Sequence, residues 1–209
     1  MDESLSYARG ATEPPLIEQT IGDFFDAMVA RQPDALALVS RHEGVRRSYA
    51  ELQAESNRLA SALLRAGLRP GDRIGIWSPN CAEWTLLQYA TAKVGAVLVN
   101  VNPAYRVGEL EYALAKVGCK ALVLADAFKS SDYLGMSRRL APELETATPG
   151  ALRAERLPEL RLAHHTDYAA AVRDALDTAV ACRLGEDAQV AAHLSGGLDS
   201  SAVAALAAR

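Results

Sequence analysis

Between residues 48 and 125 the sequence alternates amphipathic helices with short apolar strands, and this alternation limits the fold more than any other feature. Each helical pattern is followed by a glycine, namely Gly67, Gly95 or Gly118, which is typical of a helix C-terminus. The predicted elements are a helix over 48–67, a strand over 73–77, a helix over 80–95, a strand over 96–101, a helix over 108–117 and a strand over 120–125. Because parallel strands need such crossovers, the pattern predicts an α/β fold with a parallel, doubly wound but incomplete sheet, covered on both faces.

The residues before this alternation predict three smaller features. Residues 1–20 are polar and are predicted to be a loose tail. A short amphipathic helix is expected over 21–30, followed by two strands, 35–40 and 45–48, around a turn at His42-Glu43-Gly44. Ser48 with Glu51 has the pattern of a capping box at the start of the next helix.

Charge and residue usage exclude several classes of function. The formal net charge is −4 with no basic block, which argues against nucleic-acid binding as the main role. No apolar run is long enough for a membrane span, and the acidic, polar start does not resemble a signal peptide, so a cytoplasmic protein is expected. Cys81, Cys119 and Cys182 lack metal-site spacing and are interpreted as reduced thiols. His164-His165-Thr166-Asp167 is interpreted as polar linker.

The stretch from 49 to 126, which contains YAELQAESNRLASALLRAGLRPGD and WTLLQYATAKVGAVLVNVNPAY, resembles the N-terminal subdomain of AMP-forming fatty-acyl-CoA synthetases. The resemblance runs from about residue 21 to 161, with 21–128 as the subdomain itself. It implies a superfamily whose members convert ATP and a carboxylate to an acyl-adenylate, which coenzyme A captures as a thioester. The phosphate loop and the catalytic lysine of that superfamily do not occur in this sequence, so no catalytic residue is assigned and enzymatic activity is left open.

One loop of this region is a candidate for ligand contacts. Asn100, Asn102, Pro103 and Tyr105 follow the strand over 96–101, where an open α/β sheet commonly binds ligands. A loop that merely ends the strand is the favoured alternative.

Residues 129–165 are predicted to be a linker. Serine, proline, arginine and glutamate are frequent there and the leucines are scattered. Acidic residues are interspersed among the arginines at 138, 139, 153, 156 and 161, so a solvated face is favoured over an anion-binding patch. The junction between two differently related parts of the chain is placed near 160–165.

The C-terminal part, 166–209, predicts a short helix–strand–loop–helix unit that carries a phosphate loop. Two glycines let an anion approach the backbone at a helix N-terminus, hydroxyls add donors, and Asp199 can hold Mg²⁺. A glycine turn with an ordinary helix cap is the alternative. The string resembles the ATP-pyrophosphatase domain of asparagine synthetases and β-lactam synthetases, which implies a nucleotide site made of Ser195, Gly196, Gly197, Leu198, Asp199, Ser200 and Ser201.

Together these patterns favour a truncated or chimeric ATP-dependent ligase that forms adenylates. ATP and Mg²⁺ are the expected cofactors, and a fatty acid or an amino acid is the expected carboxylate substrate. A completing polypeptide is a further expected partner, since one glycine loop stabilises a reacting phosphate from one direction only. The alternatives are a fragment of an asparagine-synthase-type amide ligase, a non-catalytic ATP-binding module, and a recombination product without function.

Overall fold

The computed structural model of the protein describes residues 10–11, 13–147 and 151–165. Five α-helices form in these residues: α1 (Ile21–Arg31), α2 (Tyr49–Arg65), α3 (Ala82–Val94), α4 (Val107–Val117) and α5 (Tyr133–Leu140). The strands are β1 (Leu36–Ser40), β2 (Val45–Ser48), β3 (Arg73–Trp77), β4 (Val97–Asn100), β5 (Cys119–Leu124), β6 (Ala127–Phe128), β7 (Ser131–Asp132) and β8 (Leu162–His165). A 3₁₀ helix covers Pro142–Glu145.

The central sheet has four parallel strands in the order β4-β3-β5-β8. Ile74 of β3 is fully buried and is paired with Leu98 of β4 on one side and with Ala121 of β5 on the other. The sheet packs closely around Gly75, because a Cβ there would lie 3.1 Å from a methyl carbon of Leu122. The predicted α/β class with a parallel sheet is therefore confirmed.

Each face of the sheet is covered by a different pair of helices. On one face, residues of α2 and α3 pack against β3 and β5, and the buried members are Ala60, Leu63, Leu68, Ile74, Ile76, Leu87, Ala90 and Ala121. On the other face, residues of α4 and α5 pack around Trp77, Leu122 and Leu124. Since neighbouring residues of a strand point to opposite faces, Ala121 and Leu122 belong to different cores.

The predicted helix boundaries agree closely with the structure. The Ser48 hydroxyl accepts the Glu51 amide at 3.2 Å and the Glu51 carboxylate accepts the Ser48 amide at 2.8 Å, which confirms the capping box. Gly95 and Gly118 follow α3 and α4 in the left-handed conformation, with φ of 70° and 60°. Left-handed residues of this kind end a helix by letting the next amides bond back to its last carbonyls.

Helix α1 and the β1–β2 hairpin form a third cluster beside α2 and α3. The Phe25 ring stacks on Tyr89 with centroids 4.0 Å apart, and Val29, Leu52 and Leu86 are buried around them. The hairpin is antiparallel, as the sequence predicts, and its register pairs Ser40 with Val45. Residues 13–19, in the predicted tail, are exposed and form neither helix nor strand.

Residues 131–147 and 151–165 differ from the expected solvated linker. They form α5, the 3₁₀ helix and β8, and they bury Leu140, Leu152, Leu157 and Leu160 against the sheet. The arginines at 138, 139, 153, 156 and 161 are exposed as expected, whereas Glu143 is half-buried with one carboxylate oxygen inaccessible to solvent. Because buried and exposed residues alternate closely here, the composition resembles that of a linker although the chain packs into a core.

Among the residues that the structure describes, no helix is long and apolar enough to cross a membrane.

Candidate functional site

The carboxyl ends of the four parallel strands meet at one edge of the sheet, and the loops that follow them form the candidate site. Register pairs Ile76 with Asn100, Trp77 with Leu124 and Leu124 with His165. The segments after β3, β4 and β5 therefore leave the sheet side by side. Ligands bind preferentially at this edge of an open α/β sheet.

Two stacked aromatic side chains support the loop after β4. Trp77 and Tyr133 are both fully buried, with ring centroids 3.8 Å apart and an interplanar angle of 19°. The Trp77 indole donates to the carbonyl of Asn102 at 3.1 Å, and the Tyr133 hydroxyl donates to the carbonyl of Pro103 at 2.6 Å. Burial raises the pKa of Tyr133, so its hydroxyl keeps the proton it donates. The rings thus fix the backbone of 102–103 from within the core.

The structure brings the loop residues singled out in the sequence to this edge. Asn100 and Asn102 are exposed, whereas Pro103 and Tyr105 are half-buried. The Asn102 side-chain oxygen accepts the Ala104 amide at 2.9 Å, and its carbonyl accepts the Tyr105 amide at 3.0 Å. Asn102 therefore stabilises the turn that ends the strand, in agreement with the favoured alternative. A ligand-binding role for these residues stays a prediction.

The loop after β3 carries a second group of polar side chains. Ser78 is buried, and its hydroxyl lies 3.3 Å from the sulfur of Cys81, the residue that begins α3. Burial raises the pKa of the Cys81 thiol, against the opposing effect of the Ser78 hydroxyl. The sequence predicts Asn80 as the N-terminal residue of this helix, but the structure places Cys81 there, without a capping bond from its side chain.

The capping acceptor for α3 comes instead from the β1–β2 turn. A carboxylate oxygen of Glu43 accepts the Ala82 amide at 3.0 Å, so one of the unpaired amides of the helix start is satisfied. Sequence reasoning missed this contact because the two residues are 39 positions apart. The sequence hints at this contact only in that Cys81, a poor capping residue, precedes the helix, so that the capping acceptor has to come from elsewhere.

Two exposed neutral side chains, Asn100 and Asn102, lie at the carboxyl edge. The amides of Asn100 and Asn102 are exposed and can bond to a ribose, a base or a carboxylate, but they carry no charge to balance a polyphosphate. The Ser78 hydroxyl is buried and donates to the carbonyl of Pro79 at 2.8 Å, so it supports the loop from within. A polyphosphate ligand would in addition need cationic side chains.

The predicted phosphate loop lies outside the described residues. This applies to Ser195, Gly196, Gly197, Leu198, Asp199, Ser200 and Ser201, and also to Cys182. The polar linker predicted over 164–167 is partly replaced by strand, since His164 and His165 belong to β8.

Comparison with known proteins places the chain in a class and then in a family. The fold is that of the N-terminal domain of adenylate-forming enzymes: the crystal structure of the N-terminal domain of FACL13 from Mycobacterium tuberculosis matches with a TM-score of 0.62 and 25% identity, over 74% of this chain and 36% of that one. The sequence model described as AMP-binding enzyme matches residues 25–191. The chain belongs to the AMP-binding enzyme family.

Similar full-length proteins are much longer than this chain. It is 50% identical over 156 residues to the mitochondrial medium-chain acyl-CoA ligase ACSF2 of Rattus norvegicus, which is 75% of this chain and 25% of the relative. The corresponding protein of Danio rerio is 46% identical over 162 residues, 78% of this chain and 27% of the relative. The chain therefore spans about a quarter of the length of these relatives.

The family match also crosses the junction predicted near 160–165. It continues to residue 191, into the part that the second resemblance assigns to an asparagine-synthetase-type unit. The presence of such a unit stays a prediction.

Proposed function

We propose that this chain supplies the N-terminal subdomain of an ATP-dependent acyl-CoA ligase that acts on a fatty carboxylate. The observation that carries the proposal is the 50% identity over 156 residues to a medium-chain acyl-CoA ligase. In the proposed reaction the carboxylate oxygen attacks the α-phosphorus of ATP and releases pyrophosphate. The thiolate of coenzyme A then attacks the acyl carbon and releases AMP.

In this proposal the chain is catalytically incomplete alone. Phosphoryl and adenylyl transfer need charge stabilisation around the phosphorus from several directions. The exposed amides of Asn100 and Asn102 at the carboxyl edge are neutral, and the chain spans about a quarter of the length of its relatives. The remaining cations and the rest of the acyl pocket would come from segments outside the described residues or from a completing polypeptide, and Mg²⁺ would accompany the ATP phosphates.

The phosphate loop is the second element of the proposal. Ser195–Ser201 would bind the polyphosphate of ATP, with Asp199 as a ligand to Mg²⁺. Its support is the sequence SGGLDSS after an apolar run. If the loop binds ATP but the chain takes no part in an acyl-CoA ligase reaction, the chain is an ATP-binding module or a fragment of an amide ligase.

The proposed compartment is the cytoplasm, whereas the rat and zebrafish relatives are named mitochondrial. Fractionation of the tagged full chain against markers of both compartments tests this part.

A chimera tests the ligase proposal. The 156 aligned residues of this chain would replace their counterpart in the rat medium-chain ligase, and octanoate-dependent pyrophosphate exchange and octanoyl-CoA formation would be measured. We expect both activities to persist within about tenfold of the parent, because half of the replaced residues are identical. The rat ligase without this segment is the negative control. A folded chimera with no more activity than that control would contradict the proposal.

Titration calorimetry with Mg-ATP tests the loop separately. The full chain should bind saturably and its Asp199→Ala variant should not. Absence of binding by a folded full chain would contradict the nucleotide site at 195–201 while leaving the chimera result unaffected.

A further inference from the structure

Three side chains with metal-binding atoms meet where the β1–β2 turn contacts the start of α3. The sulfur of Cys81 and one carboxylate oxygen each from Glu43 and Glu83 all lie within 4.8 Å of one another. These residues are called the Cys81 cluster below. Cys81 is the N-cap residue of α3, Glu83 lies in its first turn, and Glu43 comes from the hairpin turn, so the tertiary fold, and not local sequence, assembles the cluster.

The Cys81 cluster gathers two carboxylates and a thiol, and its basic neighbour is the imidazole of His42. Among the residues that the structure describes, no lysine or arginine forms an ion pair with Glu43 or Glu83. The Ala82 amide satisfies one oxygen of Glu43, and the start of α3 offsets part of the repulsion. The remaining lone pairs of two carboxylates and a sulfur converge on one small region.

A fourth donor lies next to the cluster. The His42 Nε2 atom is 3.9 Å from the Glu43 carboxylate, and its Nδ1 atom is 3.2 Å from the Ser40 hydroxyl. A hydroxyl or carbonyl that holds one ring nitrogen while the other faces the ion is the usual arrangement around metal-binding histidines. The His42 side chain is 69% exposed, so it can turn toward a bound ion without repacking the core.

We propose that the Cys81 cluster, with His42 as fourth ligand, binds one divalent transition-metal ion of the zinc class and fastens the hairpin to α3. A thiolate ligand favours zinc or cobalt over magnesium and calcium. Bonds of about 2.0–2.3 Å place tetrahedral ligands roughly 3.5 Å apart. The separations within the Cys81 cluster, up to 4.8 Å, need to shrink by at most about 1.3 Å, and the exposed His42 ring has to turn toward the three atoms.

The charge balance of this site agrees with its position. On binding, the Cys81 thiol loses its proton to solvent and the metal–sulfur bond forms. One thiolate and two carboxylates around a divalent ion leave a net charge of −1. A site with a net negative charge is stabilised at the N-terminus of α3, whereas a site with a net positive charge would be destabilised there.

A cobalt titration of the full chain tests the proposal. One equivalent of Co²⁺ should produce the thiolate-to-cobalt charge-transfer absorption, and Zn²⁺ but not millimolar Mg²⁺ should remove it. Cys81→Ser should abolish the band, and Glu43→Gln should weaken binding at least tenfold. Cys119→Ser and Cys182→Ser are the matched controls and should leave the band and the affinity unchanged, because the proposed site uses neither cysteine.

Several results would contradict the proposal that the Cys81 cluster binds a metal ion. A folded full chain without the band would do so, as would a band that persists in Cys81→Ser or that disappears in Cys182→Ser. Far-UV circular dichroism checks folding in each case. If Cys81→Ser does not fold, Glu43→Gln decides, because its amide oxygen can still accept the Ala82 amide. Undiminished cobalt affinity in that variant contradicts the proposal.

Discussion

Replacement of Leu160 by alanine measures whether the segment after residue 150 is part of the core. Leu160 is 2% exposed, and it belongs to the cluster that contains Trp77, Leu114 and Leu122. The substitution removes three buried carbons, worth about 0.8 kcal/mol each in transfer free energy, and leaves a cavity that raises the cost. We expect the free energy of unfolding to fall by about 2–4 kcal/mol.

Urea denaturation followed by far-UV circular dichroism and by tryptophan fluorescence measures this change. In a chain with this many ordered residues, the loss corresponds to a fall in the melting temperature of roughly 6–12 °C. Leu64→Ala is the matched control, since it removes the same atoms from a leucine that is 50% exposed, and it should cost about 0.5 kcal/mol or less. Equal effects of the two substitutions would refute the packing described for 151–160 and restore the solvated linker.

Three further outcomes are expected. Tyr133→Phe removes the donor to the Pro103 carbonyl and should lower the free energy of unfolding by about 1–2 kcal/mol, measured by urea denaturation. An unchanged free energy of unfolding would contradict this role of the hydroxyl. The Asp72 carboxylate accepts a hydrogen bond from Lys120, which lowers the pKa of Asp72 from the usual 3.8. The stabilisation that this pair provides is therefore present above that value and is lost as the pH falls through the folded-state pKa. Asp72→Asn should flatten the acid limb of a curve of unfolding free energy against pH, and an unchanged limb would contradict the assignment. Gly75→Ala should cost about 1–3 kcal/mol by overpacking the sheet, and a neutral result in thermal melts would show that the facing leucine moves aside.

Local patterns predict the βα units well because each of their signals is complete within a few residues. Ser48 and Glu51 define the start of α2, and Gly95 and Gly118 define the ends of α3 and α4, without help from distant parts of the chain. The sheet order is not visible in such patterns. That β3 lies between β4 and β5 follows from tertiary packing, which the sequence expresses only as similar apolar strands.

The failures of prediction involve contacts between distant residues. Leu152 and Leu157 are single apolar residues in a charged stretch, and only the presence of the sheet beneath them makes them core residues. Glu43 lies in a turn, where acidic residues are usual, and nothing nearby shows that it caps α3. At the carboxyl edge, the position of Asn102 was predictable from the end of β4, but its support by Trp77 and Tyr133 was not.

The two cores of the sheet also differ in when they can form during protein synthesis. The core beneath α2 and α3 has its last buried residue at Ala121, whereas the core beneath α4 and α5 needs Leu160, 39 residues later. At roughly 5–20 residues per second, a ribosome takes about 2–8 s to add that length. During this interval the face of β5 that carries Leu122 and Leu124 has no cover from the segment after 150. A nascent chain at this stage exposes an apolar surface of the kind that chaperones bind, and slower translation through 121–160 lengthens that exposure.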